Sequence, residues 1–149
     1  MRWVARLALA VGVLLIVAAV LLPNTVLAAW RSEIRWLGQA ANQVEGWWPG
    51  VNVVHVLMFA VLGLLARAAW PALGTARLLA VLLAFAALTE LLQFWAPGRE
   101  PRLVDVGYDL LGACAGVWLA AGVQAGWARL RAARVEDLGR SHQIPGQDR

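Results

Sequence analysis

The chain has 149 residues, of which 61% are hydrophobic and 15% charged, with 13 basic side chains against 9 acidic ones. A soluble domain holds about 45–50% apolar and about 25% charged residues, so an ordinary soluble fold is excluded. Every basic residue is Arg, and the Arg sit in short segments between apolar runs. That is a topology signal and not a nucleic-acid-binding stripe, so no nucleic-acid partner is expected. The length allows one compact unit. The single cysteine, Cys114, lies in an apolar run with no partner for an intrachain disulfide.

A membrane-crossing helix needs about 20 mostly apolar residues. Four stretches qualify: residues 4–22, closed by Pro23, Asn24 and Thr25; 51–70, ending at Pro71; 77–95, before Ala96, Pro97 and Gly98; and 103–125. The predicted fold is an all-α membrane protein, a four-transmembrane-helix bundle forming one domain over residues 1–127. Between the first two spans, Trp30, Ile34, Leu37, Ala41, Val44 and Trp48 recur at alternating steps of four and three. That spacing predicts an amphipathic helix over about residues 30–48 on the outer surface, lying on the leaflet or packed over the bundle mouth. Its charges cancel, so electrostatic capture of anionic lipid is not expected. Residues 128–149 read as a basic cytoplasmic tail, and from Gly139 onward (Ser141, Gln143, Pro145, Gly146, Gln147) the composition is that of disorder.

Orientation follows from the Arg distribution. With the N-terminus inside, Arg2, Arg6, Arg67, Arg77, Arg129, Arg131, Arg134, Arg140 and Arg149 are cytoplasmic, and only Arg31, Arg35, Arg99 and Arg102 are outside. Both termini are therefore expected in the cytoplasm. Tryptophan agrees: Trp3, Trp70 and Trp127 mark the inner interface, Trp30, Trp36, Trp47, Trp48 and Trp95 the outer one, and only Trp118 falls well within a span. A secretory signal peptide cleaved after Ala28 is the rival reading of the N-terminus. It leaves the other three spans oriented as before.

Each ionisable group inside a span costs roughly 2.5–3.5 kcal/mol even on a lenient scale, so each needs a reason. There are four: His55 in span 2, Glu90 in span 3, and Asp105 and Asp109 in span 4. At about 1.5 Å rise per residue all four lie within about 10 Å of the outer interface. Scattered accidents would not share a depth. They also share faces, because Asp105, Asp109, Gly112 and Gly116 form one stripe of span 4, Ala86, Glu90 and Gln93 another in span 3, and Asn52, His55 and Phe59 a third in span 2. The GxxxG pair predicts close approach of span 4 to a neighbour, bringing its Asp residues against Glu90 or His55. Taken singly, each residue has a structural explanation as a hydrogen-bonded or packing group. Taken together they predict an outward-facing polar pocket, with Arg99 and Arg102 of the following loop above it.

At these residues the chain resembles the VanZ family. In TELLQFWAPGREPRLVDVGYDLLGACAG an E-x-x-Q ends one span, a P-G-R loop follows, and D-x-x-x-N-x-x-G-x-x-x-G opens the next. Glu90, Gln93, Pro97, Gly98, Arg99, Asp105, Gly112 and Gly116 match in type and spacing, and His55, Phe59, Leu62 and Gly63 fall on the family's histidine segment. The motifs cover about residues 51–123. Two positions depart: an Asp-Lys pair before the histidine is here Val51-Asn52, and the Asn of span 4 is Asp109, which adds a carboxylate able to change protonation or cation binding. The resemblance implies a small multi-pass protein of the bacterial cytoplasmic membrane. The family's namesake is associated with reduced susceptibility to teicoplanin, a lipoglycopeptide directed at lipid-linked cell-wall precursor.

The expected function is binding of a lipid-linked or surface envelope component in the pocket, with membrane lipids as partners and no cofactor. Candidate ligand-binding residues are His55, Glu90, Gln93, Arg99, Arg102, Asp105 and Asp109. The alternative is an enzyme acting on an envelope lipid head group there, with His55, Glu90, Asp105 and Asp109 as catalytic candidates, serving as base and acid or holding a divalent cation. No H-x-x-x-H or similar spacing supports a metal, and Ser32 and Ser141 lie outside the spans, which leaves no serine nucleophile. Transport through Glu90 and Asp109 is disfavoured, since below Glu90 the span reads Leu88, Ala87, Phe85, Leu83.

Overall fold

The computed structural model describes residues 2–46, 48 and 50–141, and these form six helices and no strand. Helix α1 (Arg2–Leu21) is an unbroken apolar run that stops before Pro23, whose ring nitrogen cannot donate to a preceding turn. Helix α2 (Asn24–Glu33) starts directly after Pro23, whose carbonyl accepts from Val26 and Leu27. The chain then bends at Ile34 (φ −96°, ψ 80°) into α3 (Arg35–Gly46). Here the structure departs from the single helix expected over 30–48. The segment is two helices that begin earlier, and α3 folds back so closely that Gly38 lies on the Arg31 carbonyl with no room for a side chain. Trp30, Ile34, Trp36 and Trp48 are exposed. Trp47 and the side chains of Leu37 and Ala41 lie outside the described residues, as does the tail from residue 142.

Helix α4 (Val53–Ala69) is capped by the Asn52 side chain, which accepts from the His55 N–H at 3.4 Å, and it ends at Trp70 before Pro71. Helix α5 (Thr75–Gln93) follows a short turn, and α6 (Leu103–Ser141) follows a nine-residue loop, residues 94–102. Among the described residues, three helices are long and apolar enough to cross a membrane: α1, α5 and α6. The fourth expected span is α4, apolar but only 17 residues long, or about 26 Å. Helix α6, at 39 residues, is about 58 Å long and outreaches a hydrocarbon core of about 30 Å.

Packing centres on α4 and α6. On α6, Gly112 lies against the Val56 carbonyl and Gly116 against the Ala60 carbonyl; on α4, Gly63 lies against the Ala113 carbonyl. Both α6 contacts advance by four residues along both helices, so α4 and α6 run parallel in fixed register. Their backbones touch because the glycines carry no Cβ. Around this pair, Phe59, Leu62, Ala66, Ala113 and Val117 bury against Leu78, Leu82 and Ala86 of α5 and Ile16 and Val20 of α1. The outside is as greasy as the inside: Leu7, Val11, Leu14 and Leu15 of α1, Leu88 and Leu91 of α5, and Leu111, Trp118 and Leu119 of α6 are all exposed. A surface of that kind belongs against lipid.

Gly116→Ala would press a methyl into the Ala60 backbone, whereas Gly122 has nothing within 4 Å of an added Cβ. Overpacking of this kind costs about 1–3 kcal/mol. Gly116→Ala is expected to lower the melting temperature of the detergent-solubilised chain, followed by tryptophan fluorescence, while Gly122→Ala leaves it unchanged or raised.

Candidate functional site

The α4–α6 register fixes the first part of the site. With Val56 seated on Gly112, His55, the residue before Val56, faces Asp109, one turn before Gly112, and the His55 Nδ1 and Asp109 Oδ1 atoms are 3.0 Å apart. Asp109 is fully buried at 0% exposure, and its Oδ2 has no hydrogen-bond partner among the described residues. Of the two neighbours expected for the span-4 carboxylates, His55 is thus the one that pairs with Asp109.

Glu90 comes from the last turn of α5 and is buried. Its carboxylate is held from both sides: Gln93 Nε2 donates to Oε1 at 3.0 Å and the Arg102 backbone N–H donates to Oε2 at 2.9 Å. The i, i+3 spacing of Glu90 and Gln93 is what brings them together on one helix. One ligand-capable atom each from His55, Glu90 and Asp109 lies within 4.8 Å of the others, so three helices deliver three donors to one place. Asp105, one turn before Asp109, is buried and lines the cavity above.

The loop after α5 is built by a chain of turns. Ala96 N–H donates to the Gln93 carbonyl and Arg99 N–H to the Ala96 carbonyl, and Gly98 takes φ +75°, a conformation that favours glycine. Asn24 grips the loop, its backbone N–H donating to Pro97 O and its Nδ2 to Gly98 O. This aims Arg99 back at α1, where Nη2 donates to the Ala19 carbonyl at 3.1 Å. That carbonyl needs a donor from outside, because the residue four positions on is Pro23. A guanidinium at a helix C-terminus also meets the negative end of the helix dipole. Burial holds the Arg99 guanidinium below its usual range, with the Arg31 charge adding to the effect and Glu90 opposing it.

Two adjoining cavities open here. One, of about 290 Å³, is lined by Asn24, Asn52, His55, Gln93, Arg99 and Asp105 together with Gly98 and Glu100. The other, of about 490 Å³, shares Asn24, Asn52, His55, Gln93 and Arg99 and continues along apolar Ile16, Val20, Leu27, Val54 and Met58 between α1, α2 and α4. Six of the seven expected site residues therefore converge by their side chains: His55, Glu90, Gln93, Arg99, Asp105 and Asp109. Arg102 does not, since the residue is exposed and reaches Glu90 through its backbone N–H. Asn24, Asn52 and Glu100 line the cavity beside them and are not among the residues the sequence marks as candidates. Asn24 sits directly after a helix-breaking proline, and its grip on a loop 74 residues away leaves no local pattern.

Arg99→Ala removes the donor to the Ala19 carbonyl, and a buried unsatisfied carbonyl costs about 1–3 kcal/mol. The expected result is a less stable chain with faster amide exchange over residues 18–22, measured in detergent by hydrogen exchange. Arg99→Lys should recover only part of the loss, since an ammonium does not reproduce the guanidinium fork.

Compared with known families, residues 8–124 match the family described as VanZ/LLP1, a stretch that takes in α1 and so extends beyond the motif-bearing segment. No curated protein and no solved structure matches.

Proposed function

The chain belongs to the VanZ-like family of membrane proteins, and on that premise we propose that it is a four-span protein of the bacterial cytoplasmic membrane whose outward-facing pocket binds the head group of an envelope lipid. Helix α4 serves as the fourth span. Its 17 residues approach the lower end of the spanning range, and α6 runs parallel beside it. Both termini lie in the cytoplasm, as the Arg asymmetry favours. The helices α2 and α3 rest at the outer leaflet, where exposed Trp30, Trp36 and Trp48 suit an interface.

The observation that carries this reading is the shape of the double cavity. Its polar end holds His55, Asn52, Gln93 and Arg99, and its other end is a greasy channel beside Ile16, Val20 and Met58. A molecule with a polar head and an apolar tail matches both ends at once. Arg99 has a buried Nε without an acceptor among the described residues, a donor suited to an anionic oxygen of the head group. A lipid-linked cell-wall precursor is such a molecule, and binding it would connect this chain to teicoplanin susceptibility.

A second reading, an enzyme acting on the same head group, is favoured by the 3.0 Å His55–Asp109 pair beside Glu90. In it the imidazole takes a proton from an attacking group while Asp109 orients the ring.

Photo-crosslinkable isoprenoid-phosphate and phospholipid analogues are expected to label the purified chain, with Asn52→Ala and Arg99→Gln reducing labelling by about ten-fold, the size of one lost charge-assisted contact. Equal labelling of the variants would overturn the binding reading. Topology is read separately: in a Cys114→Ser background, the thiol of Arg131→Cys should be shielded from membrane-impermeant maleimide in intact cells, and that of Glu100→Cys should react.

A further inference from the structure

We infer that His55, Glu90 and Asp109 form a binding site for one divalent first-row cation at the floor of this pocket, of the Zn²⁺ or Mn²⁺ type. Three observations converge. The first is geometry: one ligand atom from each residue lies within 4.8 Å of the others, and the His55–Asp109 pair is 3.0 Å apart. With bonds of about 2.1 Å, donors around an octahedral cation stand about 3.0 Å apart when adjacent and about 4.2 Å when opposite, and tetrahedral donors about 3.4 Å apart, so small side-chain shifts close the site. The second is the orphaned Asp109 Oδ2, buried on a residue with 0% exposure. A carboxylate oxygen held there without a donor is costly whether ionised or protonated, because no acceptor is present for a carboxyl proton either. A cation ligated by that carboxylate supplies what the protein does not.

The third is charge. Glu90, Asp105 and Asp109 are all buried around one imidazole, and the nearest loop guanidinium, Arg99, is turned to the Ala19 carbonyl. At the floor of the pocket, below the Arg99 Nε, no cationic side chain but the imidazole faces these carboxylates among the described residues. A divalent cation reverses the local sign and leaves coordination positions open to water or to a ligand oxygen.

The donor set chooses the metal class. An imidazole nitrogen with two carboxylate oxygens suits Zn²⁺ or Mn²⁺ better than Ca²⁺, which prefers an all-oxygen shell. The surrounding contacts are those of a held ligand set, with Glu90 oriented by Gln93 Nε2 and the Arg102 N–H and the His55 backbone N–H taken by the Asn52 side chain.

The inference concerns the floor of the pocket whatever occupies the space above it. Cation binding measured without lipid therefore tests it alone, and lipid labelling in excess EDTA tests the head-group reading alone. The full chain, carrying His142→Gln so that His55 is the one imidazole, is purified in detergent, stripped with EDTA and titrated with Mn²⁺ followed by electron paramagnetic resonance. One saturable Mn²⁺ per chain is expected, coupled to a single imidazole nitrogen and displaced by Zn²⁺. Asp109→Asn and His55→Gln should each weaken binding at least about ten-fold, while Glu33→Gln on α2 leaves it unchanged. No saturable uptake by the otherwise native chain, bound Mn²⁺ without nitrogen coupling, or an Asp109→Asn chain that binds as tightly would each overturn the inference. The nitrogen coupling is read on the His55-containing chain, so it decides the matter even if a site variant fails to fold.

Discussion

The contact between α4 and α6 through Gly63, Gly112 and Gly116 is the constraint on which the rest depends. In lipid there is little hydrophobic drive for helices to associate, so close backbone packing and polar contacts have to hold them. Three missing side chains let two parallel helices touch backbone to backbone, and that contact permits no slippage. A register shift of even one residue would place a Cβ against a carbonyl. The fixed register has a chemical consequence directly beside the contact, where His55 and Asp109 meet at 3.0 Å in a place closed to solvent on the aspartate side. The packing motif and the polar pair are parts of one device.

A second constraint acts across the end of the bundle. Pro23 ends α1 and thereby strips the Ala19 carbonyl of its donor; Arg99 restores it from a loop whose turn depends on the positive φ of Gly98. Asn24, next to the proline, holds that loop by two hydrogen bonds. The break in α1 and the P-G-R turn after α5 therefore complement one another, and together they tie α1 to the pocket that α4, α5 and α6 line. Arg99 is in consequence both a structural clasp and a wall of the cavity, and a substitution there changes the stability of the chain and the lining of the cavity together. Asn52 also lines both cavities and does not touch α1's carbonyl, but its side chain caps α4, so a substitution there loosens α4 and leaves the α1 clasp in place.

Much of this was legible in the sequence because a membrane leaves few ways to place polar groups. The shared depth of His55, Glu90, Asp105 and Asp109 could be counted from the span ends, and the glycine stripe announced which face of α6 would be crowded. Other features were not legible, for physical reasons. The bend at Ile34 leaves the apolar spacing of residues 30–48 unchanged, since a four-three rhythm continues through a turn that merely redirects the axis. Arg102 reads as a charge, yet what the site uses is its backbone N–H, a group every residue but proline possesses. The three candidate metal donors come from three helices separated by 35 and 19 positions, so no local spacing could mark them.

The pocket is one-sided, and that limits its chemistry. Beyond the polar floor the interior closes with Phe59, Leu62, Ala86, Ala113 and Val117, all nearly or fully buried. A transported polar solute would have to displace that packing, whereas a lipid head group needs to enter only from the leaflet at the open end. The apolar limb of the cavity between α1, α2 and α4 leads toward the greasy exterior, so the tail of such a lipid can stay in hydrocarbon while its head reaches His55 and Arg99. Acid residues at the floor and a guanidinium at the rim would then act on one ligand in opposite senses, which favours a head group that sets its anionic oxygens at the rim and its hydrogen-bond donors toward the floor.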